Sequence, residues 1–207
     1  MDQGNTAFVL ISAALVLLMT PGLAFFYGGM VKAKSVVSMM MLSFGSLGLI
    51  AVLWVLYGYA ISFANGGTET FLGIDGWFGI DTSFIGLSAQ VADAADPAGA
   101  FPSMAFVAFQ ATFAIITVAL ISGAIADRAK FGAWMVFAGL WATIVYFPVA
   151  NWVFNFTLED GKVVDGGWIV YGLGVIDFAG GTAVHINAGA AGLALAIVLG
   201  KRFGFSK

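Results

Sequence analysis

The chain has 207 residues, of which 61% are hydrophobic and only 9% are charged, and its mean hydropathy is +1.00. Soluble domains are about half apolar and about one quarter charged, so this composition excludes a soluble globular protein and indicates one surrounded by the lipid bilayer. The formal net charge is −3, and its carriers are scattered, which excludes the basic surface of a nucleic-acid-binding protein. No cysteine and a single histidine are present, so we expect no disulfide, no Cys/His metal site and no cofactor.

Five stretches of the chain are long enough and apolar enough to cross a bilayer, which requires about 20 mainly apolar residues in a helix. Asp2 precedes the first stretch, where a secretory signal would carry a basic flank, so we read that stretch as a true span. The predicted fold is all-α, a polytopic transmembrane helix bundle in a single membrane domain over residues 1–207. The predicted spans are residues 6–28, 36–62, 102–126, 132–154 and 177–200.

Two polar segments separate the spans on one side of this arrangement. Residues 66–100 are rich in glycine, serine and acidic residues, which indicates a loop with a short interfacial element, and residues 159–167 form a second loop. The prolines fit this layout. Pro102 can open the third span, Pro97 lies in the first loop, and Pro21 and Pro148 are expected to distort spans one and four.

The basic residues predict the orientation of the spans. Seven of them fall on one side of the five-span arrangement, whereas only Lys162 falls on the other. Because basic residues are retained in cytoplasmic loops, we expect an outer N-terminus and a cytoplasmic C-terminus in a plasma membrane. The seven residues are Lys32, Lys34, Arg128, Lys130, Lys201, Arg202 and Lys207.

Asp177 and His185 are the ionisable side chains inside a predicted span, where such groups are costly and therefore candidates for function. Eight helical residues separate them by about 12 Å along the axis and place them near one face. At the start of the span, Asp177 can cap backbone donors or attract a cation, and capping is the favoured reading. A buried neutral imidazole at His185 can both donate and accept a hydrogen bond, so it suits either a solute pathway or a satisfied structural role.

Aromatic residues near the outer ends of two spans form a second group of candidates. Phe109 and Phe113 stand one helical turn apart on span three, where their rings can bind a cation or close a pore. Trp152 and Phe154 lie near the outer end of span four. For all four residues, a lipid-facing, core or interfacial role is the ordinary alternative.

Beyond this spacing, the sequence resembles the ammonium transporter (Amt/Mep/Rh) family. The segments that carry the resemblance occur in the family's order along nearly the whole chain. They are Thr20–Gly29, Leu53–Tyr59, Ala108–Ala114, Gly123–Arg128 and Asp177–Asn187, of which the last is the most specific.

The resemblance implies roles for individual residues. Phe113 matches one of two stacked phenylalanines that close the outer vestibule, Asp177 matches an acidic residue below the external recruitment site, and His185 matches the first pore histidine. The family usually has tryptophan at the position of Phe154. Phenylalanine keeps a ring there but lacks the indole donor, so recruitment is expected to be weaker or to use Trp152.

The resemblance also implies an architecture larger than this chain. Family members are homotrimers of eleven-helix subunits, and the two five-helix halves of each subunit are inverted repeats. This chain matches the first half, so we expect it to be part of a longer protein.

The expected function is transport of ammonium or ammonia across the membrane. Ammonium would bind at the outer aromatic site, lose its proton and cross as ammonia past His185. Two alternatives remain open: a transporter for another small solute, and a membrane module that conducts nothing. No nucleophile with a neighbouring base and no phosphate-binding loop is recognisable, so an enzyme is not expected.

Overall fold

The computed structural model describes residues 2–64, 70–74, 78–92 and 101–202. Within these residues, five helices have the length and apolar composition to cross a membrane. The predicted fold class is therefore confirmed: the chain is a multi-pass membrane protein built as a helical bundle. The helices are α1 (Gln3–Gly29), α2 (Ala33–Ser62), α3 (Ser103–Ile125), α4 (Phe131–Phe154) and α5 (Gly181–Leu199).

The helix ends lie close to the predicted spans, with one difference at the start of α5. The side chain of Asp2 accepts a hydrogen bond of 2.7 Å from the backbone amide of Asn5 and so caps α1. Pro102 occupies the N-cap position of α3, as expected, and Pro21 lies inside α1. By contrast, residue 177 is not helical, and the fifth helix begins only at Gly181.

Three of the long helices contain wider, π-helical turns. These turns cover Trp54–Gly58 in α2, Ala142–Tyr146 in α4 and Gly181–Ile186 in α5. The turn in α4 ends two residues before Pro148. Proline cannot donate a backbone hydrogen bond, and its ring crowds the carbonyl four residues earlier, so the wider turn accommodates it without ending the helix.

Large aromatic side chains fill the centre of the bundle. Trp54, Trp134, Tyr146 and Phe147 are almost completely buried. The indoles of Trp54 and Trp134 both have partners, since Trp54 Nε1 donates to the carbonyl of Val107 (3.2 Å) and Trp134 Nε1 donates to that of Leu42 (3.0 Å). These bonds join α2 to α3 and to α4, and they satisfy polar atoms that would be costly to leave unpaired in an apolar interior.

An antiparallel hairpin lies within the first predicted loop, and another overlaps the second, beginning three residues before residue 159. Strands β1 (Thr70–Ile74) and β2 (Phe78–Asp81) pair after α2, and a short helix, Ser88–Ala92, follows them. Strands β3 (Phe156–Glu159) and β4 (Lys162–Gly166) pair after α4. Pro97 and Lys207 lie outside the described residues.

Candidate functional site

The carboxylate of Asp177 caps the first turn of α5. Its Oδ2 accepts hydrogen bonds of 2.9 Å from the backbone amides of both Thr182 and Ala183. Gly180, in the left-handed conformation (φ 78°), directs the chain into the helix immediately before them. The favoured capping role is thus present, but the prediction that Asp177 and His185 share one helical face is wrong, because Asp177 precedes the helix.

The second carboxylate oxygen of Asp177 has a different environment. Oδ1 is buried, and it has no hydrogen-bond partner among the described residues. A buried oxygen of this kind retains capacity to accept a proton donor. The capping oxygen therefore fixes the carboxylate, while Oδ1 remains an acceptor beside the start of α5.

His185 lies in the π-helical first part of α5. Such turns are frequent at functional sites because they displace a side chain from the regular helical row. The residue is exposed in this structure, not buried as the sequence suggested. Its backbone amide donates to the carbonyl of Gly180 (3.0 Å), which ties the imidazole-bearing residue to the capped start of the helix.

Phe113 and His185 line the same cavity, which has a volume of about 350 Å³. Helices α1, α3 and α5 build its wall, together with Ala179 from the segment before α5. Apart from His185, the described lining residues are apolar, and they include Val184, which precedes His185 in the sequence. The cavity therefore offers one imidazole to a small solute in otherwise hydrocarbon surroundings.

The rings of Phe109 and Phe113 meet edge to face, with centroids 4.9 Å apart and planes at 84°. Both side chains are partly buried on α3. Phe113 contributes to the described cavity wall, whereas Phe109 is not among the described lining residues. The predicted pair of rings is therefore present on one face of α3, and Phe113 is the member that reaches the cavity.

The other aromatic candidates lie elsewhere. The rings of Trp152 and Trp168 are 5.7 Å apart, at the junction between α4 and the turn Trp168–Gly172. Phe154 is partly buried and packs against the hydrophobic core. Neither Trp152 nor Phe154 belongs to the described wall of the 350 Å³ cavity, so the structure does not bring these two residues together with His185.

One wall of the cavity was not predicted from the sequence. It comes from α1, whose residues Val16, Met19, Leu23 and Phe26 face His185 and Phe113 across the space. Their spacing of three and four residues is that of one helical face, and this was the available signal. In a helix that is apolar all round, however, periodicity does not distinguish a cavity wall from a lipid-facing surface.

Comparison with known proteins identifies the family of the chain. The family model described as the Ammonium Transporter Family matches residues 7–207. An ammonium transporter of Mycobacterium tuberculosis is 59% identical over 99% of this chain and 44% of its own length. One from Bacillus subtilis is 48% identical over 98% of this chain and 45% of its own.

Solved structures give the same result. The crystal structure of Candida albicans Mep2 matches with a TM-score of 0.79 and 32% identity, over 98% of this chain and 40% of that protein. The crystal structure of Saccharomyces cerevisiae Mep2 matches with a TM-score of 0.77 and 30% identity, over 98% and 42%. The chain thus spans less than half the length of the relatives that it matches, and it corresponds to their N-terminal part. On the strength of this match along nearly its whole length, the chain belongs to the Ammonium Transporter Family.

Proposed function

We propose that this chain contributes the first half of a pathway that moves ammonium or ammonia across the membrane. The observation that carries the proposal is the cavity shared by Phe113 and His185, in which a single imidazole faces an otherwise apolar wall. The ammonium transporters of Mycobacterium tuberculosis and Bacillus subtilis support the choice of solute, through their similarity to this chain.

Deprotonation is the central step of the proposed mechanism. Moving an ion of ammonium size into a medium of low dielectric costs on the order of 20 kcal/mol in the idealised limit, whereas neutral ammonia avoids most of that cost. The lining of the described cavity is apolar except at His185. Ammonium is therefore expected to lose its proton near Asp177 and the Phe113 ring, before the solute passes through this space. The carboxylate oxygen Oδ1 of Asp177, which has no hydrogen-bond partner among the described residues, is the proposed first acceptor of the proton, and ammonia then passes the imidazole.

His185 can assist passage by exchanging hydrogen bonds with the solute. A neutral imidazole donates from one ring nitrogen and accepts at the other, and ammonia can do both. The same ring can carry the released proton separately. The capped first turn of α5 stabilises the position of His185, because Asp177 and Gly180 fix the backbone from which the ring projects.

In the proposed mechanism, aromatic rings at the outer side of the membrane bind the ammonium ion first. A cation over an aromatic face gains about 0.5 to 2 kcal/mol, and Phe109, Phe113, Trp152 and Phe154 supply such faces near the outer ends of α3 and α4. The proposed order is recruitment by these rings, closure by the Phe113 ring, then passage at His185. Phe154 has a weaker cation-binding face than an indole, so Trp152 is the stronger contributor in this arrangement.

The proposed orientation places the N-terminus outside and the C-terminus in the cytoplasm. It is supported by the excess of lysine and arginine at one set of helix ends, which the positive-inside rule assigns to the cytoplasm. The proposed active assembly is a homotrimer of the longer protein, as the resemblance implies.

The decisive experiment substitutes His185 and its neighbour. In membranes containing the full-length transporter, ammonium-evoked current and ammonium uptake are measured for His185→Ala and for Ile186→Ala. Ile186 is 67% exposed, belongs to the same π-helical turn and is not among the described cavity residues. It therefore controls for general damage to α5.

We expect His185→Ala to change the transport rate or its selectivity for ammonium over potassium, and Ile186→Ala to leave both close to wild type. An unchanged rate and selectivity in His185→Ala would overturn the role of the imidazole. Equal losses in both variants would assign the effect to the helix instead of the cavity. Transport of another solute in place of ammonium would favour a different transporter.

A further inference from the structure

Two asparagine side chains join the last turn of α4 to the end of α2. Asn151 Nδ2 donates hydrogen bonds to the carbonyls of Ser62 (3.2 Å) and Ala64 (3.1 Å). Asn155 Nδ2 donates to the same Ala64 carbonyl (2.8 Å). Residues four apart at a helix end lie on one face, so both side chains point towards α2. We call these three hydrogen bonds the asparagine clamp.

The side chain of Asn151 suits this position because it is uncharged and carries two donors on one nitrogen. Only 4% of the residue is exposed, and a buried amide is costly unless its donors find acceptors. The end of α2 supplies these acceptors, since carbonyls in the last turn of a helix lack helical partners. Loss of the Asn151 amide would therefore release the last turn of α4 from most of its polar contact with α2.

The segment that follows β4 holds the same turn through its backbone. The amide of Gly167 donates to the carbonyl of Asn155 (2.9 Å). A Cβ atom added to Gly167 would lie 2.4 Å from the carbonyl oxygen of Asn151 and 2.4 Å from Cα of Trp152, so only glycine permits this close approach. The last turn of α4 is thus fixed by α2 and by the segment that contains Gly167.

Trp152 is the aromatic residue whose position depends on these contacts. It follows Asn151 directly, and its partly exposed ring meets the ring of Trp168 with centroids 5.7 Å apart and planes at 61°. Trp168 in turn follows Gly167 directly. The two indoles are therefore carried by the two backbone segments that the clamp and the glycine contact hold together. A rotation of the last turn of α4 would turn the Trp152 ring away from Trp168.

We propose that Asn151 is a positioning residue for ammonium recruitment: its hydrogen bonds to α2 hold Trp152 in the orientation in which the indole receives the cation. The inference rests on the proposed function, in which Trp152 is a recruitment ring. Because a cation is attracted only over the face of a ring, a turned indole loses affinity. Asn151 acts through Trp152, since its own donors are directed at the carbonyls of Ser62 and Ala64.

The test measures ammonium uptake by the full-length transporter in reconstituted vesicles. KM and the maximal rate are determined for wild type, Asn151→Leu, Trp152→Ala and the double variant. Leucine is similar in size to asparagine but cannot donate a hydrogen bond. Ser46→Ala is the matched control, because it also removes a buried hydrogen bond between α2 and α4, the one from Trp134 Nε1 to Ser46 Oγ (3.0 Å). Trp134 lies near the other end of α4 from Trp152.

We expect Asn151→Leu to raise KM by about three- to tenfold, the size of a lost cation–aromatic contact, with a smaller change in the maximal rate. Because Asn151 acts through Trp152, KM of the double variant should be close to that of Trp152→Ala. Ser46→Ala should leave KM close to wild type. An unchanged KM in Asn151→Leu, or effects that multiply in the double variant, would overturn the positioning role.

Fluorine NMR of protein labelled with fluorotryptophan separates the clamp from the recruitment mechanism. The Trp152 signal is assigned as the one lost in Trp152→Phe. We expect Asn151→Leu to shift this signal, Asn155→Ala to shift it less, because it removes one hydrogen bond instead of two, and Ser46→Ala to leave it in place. An unshifted signal in Asn151→Leu would refute the clamp. A shifted signal combined with a wild-type KM in Trp152→Ala would instead refute recruitment by Trp152, and the positioning role with it.

Discussion

The carboxylate of Asp177 accepts a hydrogen bond of 2.9 Å from the backbone amide of Thr182. This contact, with its partner at Ala183, closes the first turn of α5 and sets the direction from which His185 projects. In the proposed pathway, Asp177 therefore has two separate contributions to make, one through the capped helix and one through its charge. These two contributions can be separated by substitution.

Removal of the cap should destabilise the protein in a graded way. We expect Asp177→Ala to lower the free energy of unfolding by about 1 to 3 kcal/mol, because two amides lose their acceptor. The stability of Asp177→Asn should lie between that of Asp177→Ala and that of wild type, because the asparagine carbonyl can still accept a hydrogen bond. Thermal unfolding in detergent measures this order. Asp160→Asn, at an exposed hairpin turn where asparagine tolerates the positive φ, is the control and should be nearly neutral. Equal effects of Asn and Ala would contradict the capping account.

Phe113 and Phe109 should differ in their effect on selectivity, because the Phe113 ring reaches the cavity whereas Phe109 packs against that ring. Phe113→Ala removes an apolar barrier that excludes water, so the ratio of ammonium uptake to potassium uptake should fall. Phe109→Ala is the matched control, since it removes the same ring one turn away and should alter the ratio less. Ion uptake into reconstituted vesicles gives both ratios. A larger loss in Phe109→Ala would reverse the assignment.

A hydrogen-bonded pair joins α2 and α4 within their π-helical turns. Tyr57 Oη and Thr143 Oγ1 are 2.9 Å apart, and Thr143 Oγ1 donates to the carbonyl of Gly139 (2.8 Å). Since the threonine hydroxyl has one proton, Tyr57 must be the donor in the pair.

The direction of the Tyr57–Thr143 hydrogen bond predicts which substitution destabilises the protein more. Thr143→Val should cost more than Tyr57→Phe, because it leaves the phenol without its acceptor, whereas Tyr57→Phe leaves Thr143 bonded to Gly139. The difference should be about 1 kcal/mol in unfolding free energy. Thr143→Ser should restore most of the loss. The three variants are compared by thermal unfolding, and a costlier Tyr57→Phe would show that the phenol is not the donor.

Hydropathy and charge predicted the five helices because a bilayer imposes a minimum length on each apolar segment. The start of α5 could not be predicted in this way. Ile176 and Phe178 are apolar, yet they lie in a non-helical segment and are 85% and 97% exposed. Composition does not distinguish such a segment from a helix, and the helix start depends on the cap and on the left-handed Gly180.

The site was accessible only in part from the sequence. His185 and Asp177 were recognisable because an ionisable group in an apolar span is costly. The meeting of Phe113 and His185 depends on how α3 packs against α5, which no local pattern encodes. The contribution of α1 to the cavity wall was hidden for the same reason, because all faces of that helix are apolar.

A close contact between α1 and α3, at Gly123 and Tyr27, leads to the last prediction. A Cβ atom added to Gly123 would lie 2.6 Å from Cζ of the Tyr27 ring, while the hydroxyl of that ring donates to the carbonyl of Leu120 (2.9 Å). The hydrogen bond fixes the hydroxyl end of the ring, which is the end that the added atom would meet, so the ring cannot move aside without losing this bond. Gly123→Ala should therefore lower the unfolding free energy by about 1 to 3 kcal/mol.

Gly132→Ala, where nothing lies within 4 Å of the added atom, is the control for this substitution. It should be neutral or stabilising by about 0.5 to 1 kcal/mol, because alanine favours the helix. Tyr27→Phe frees the ring from its hydrogen bond, so the cost of Gly123→Ala should be smaller in that background. Thermal unfolding of wild type, the two single variants and the double variant measures the coupling, and additive effects would mean that the ring is not held by its hydroxyl.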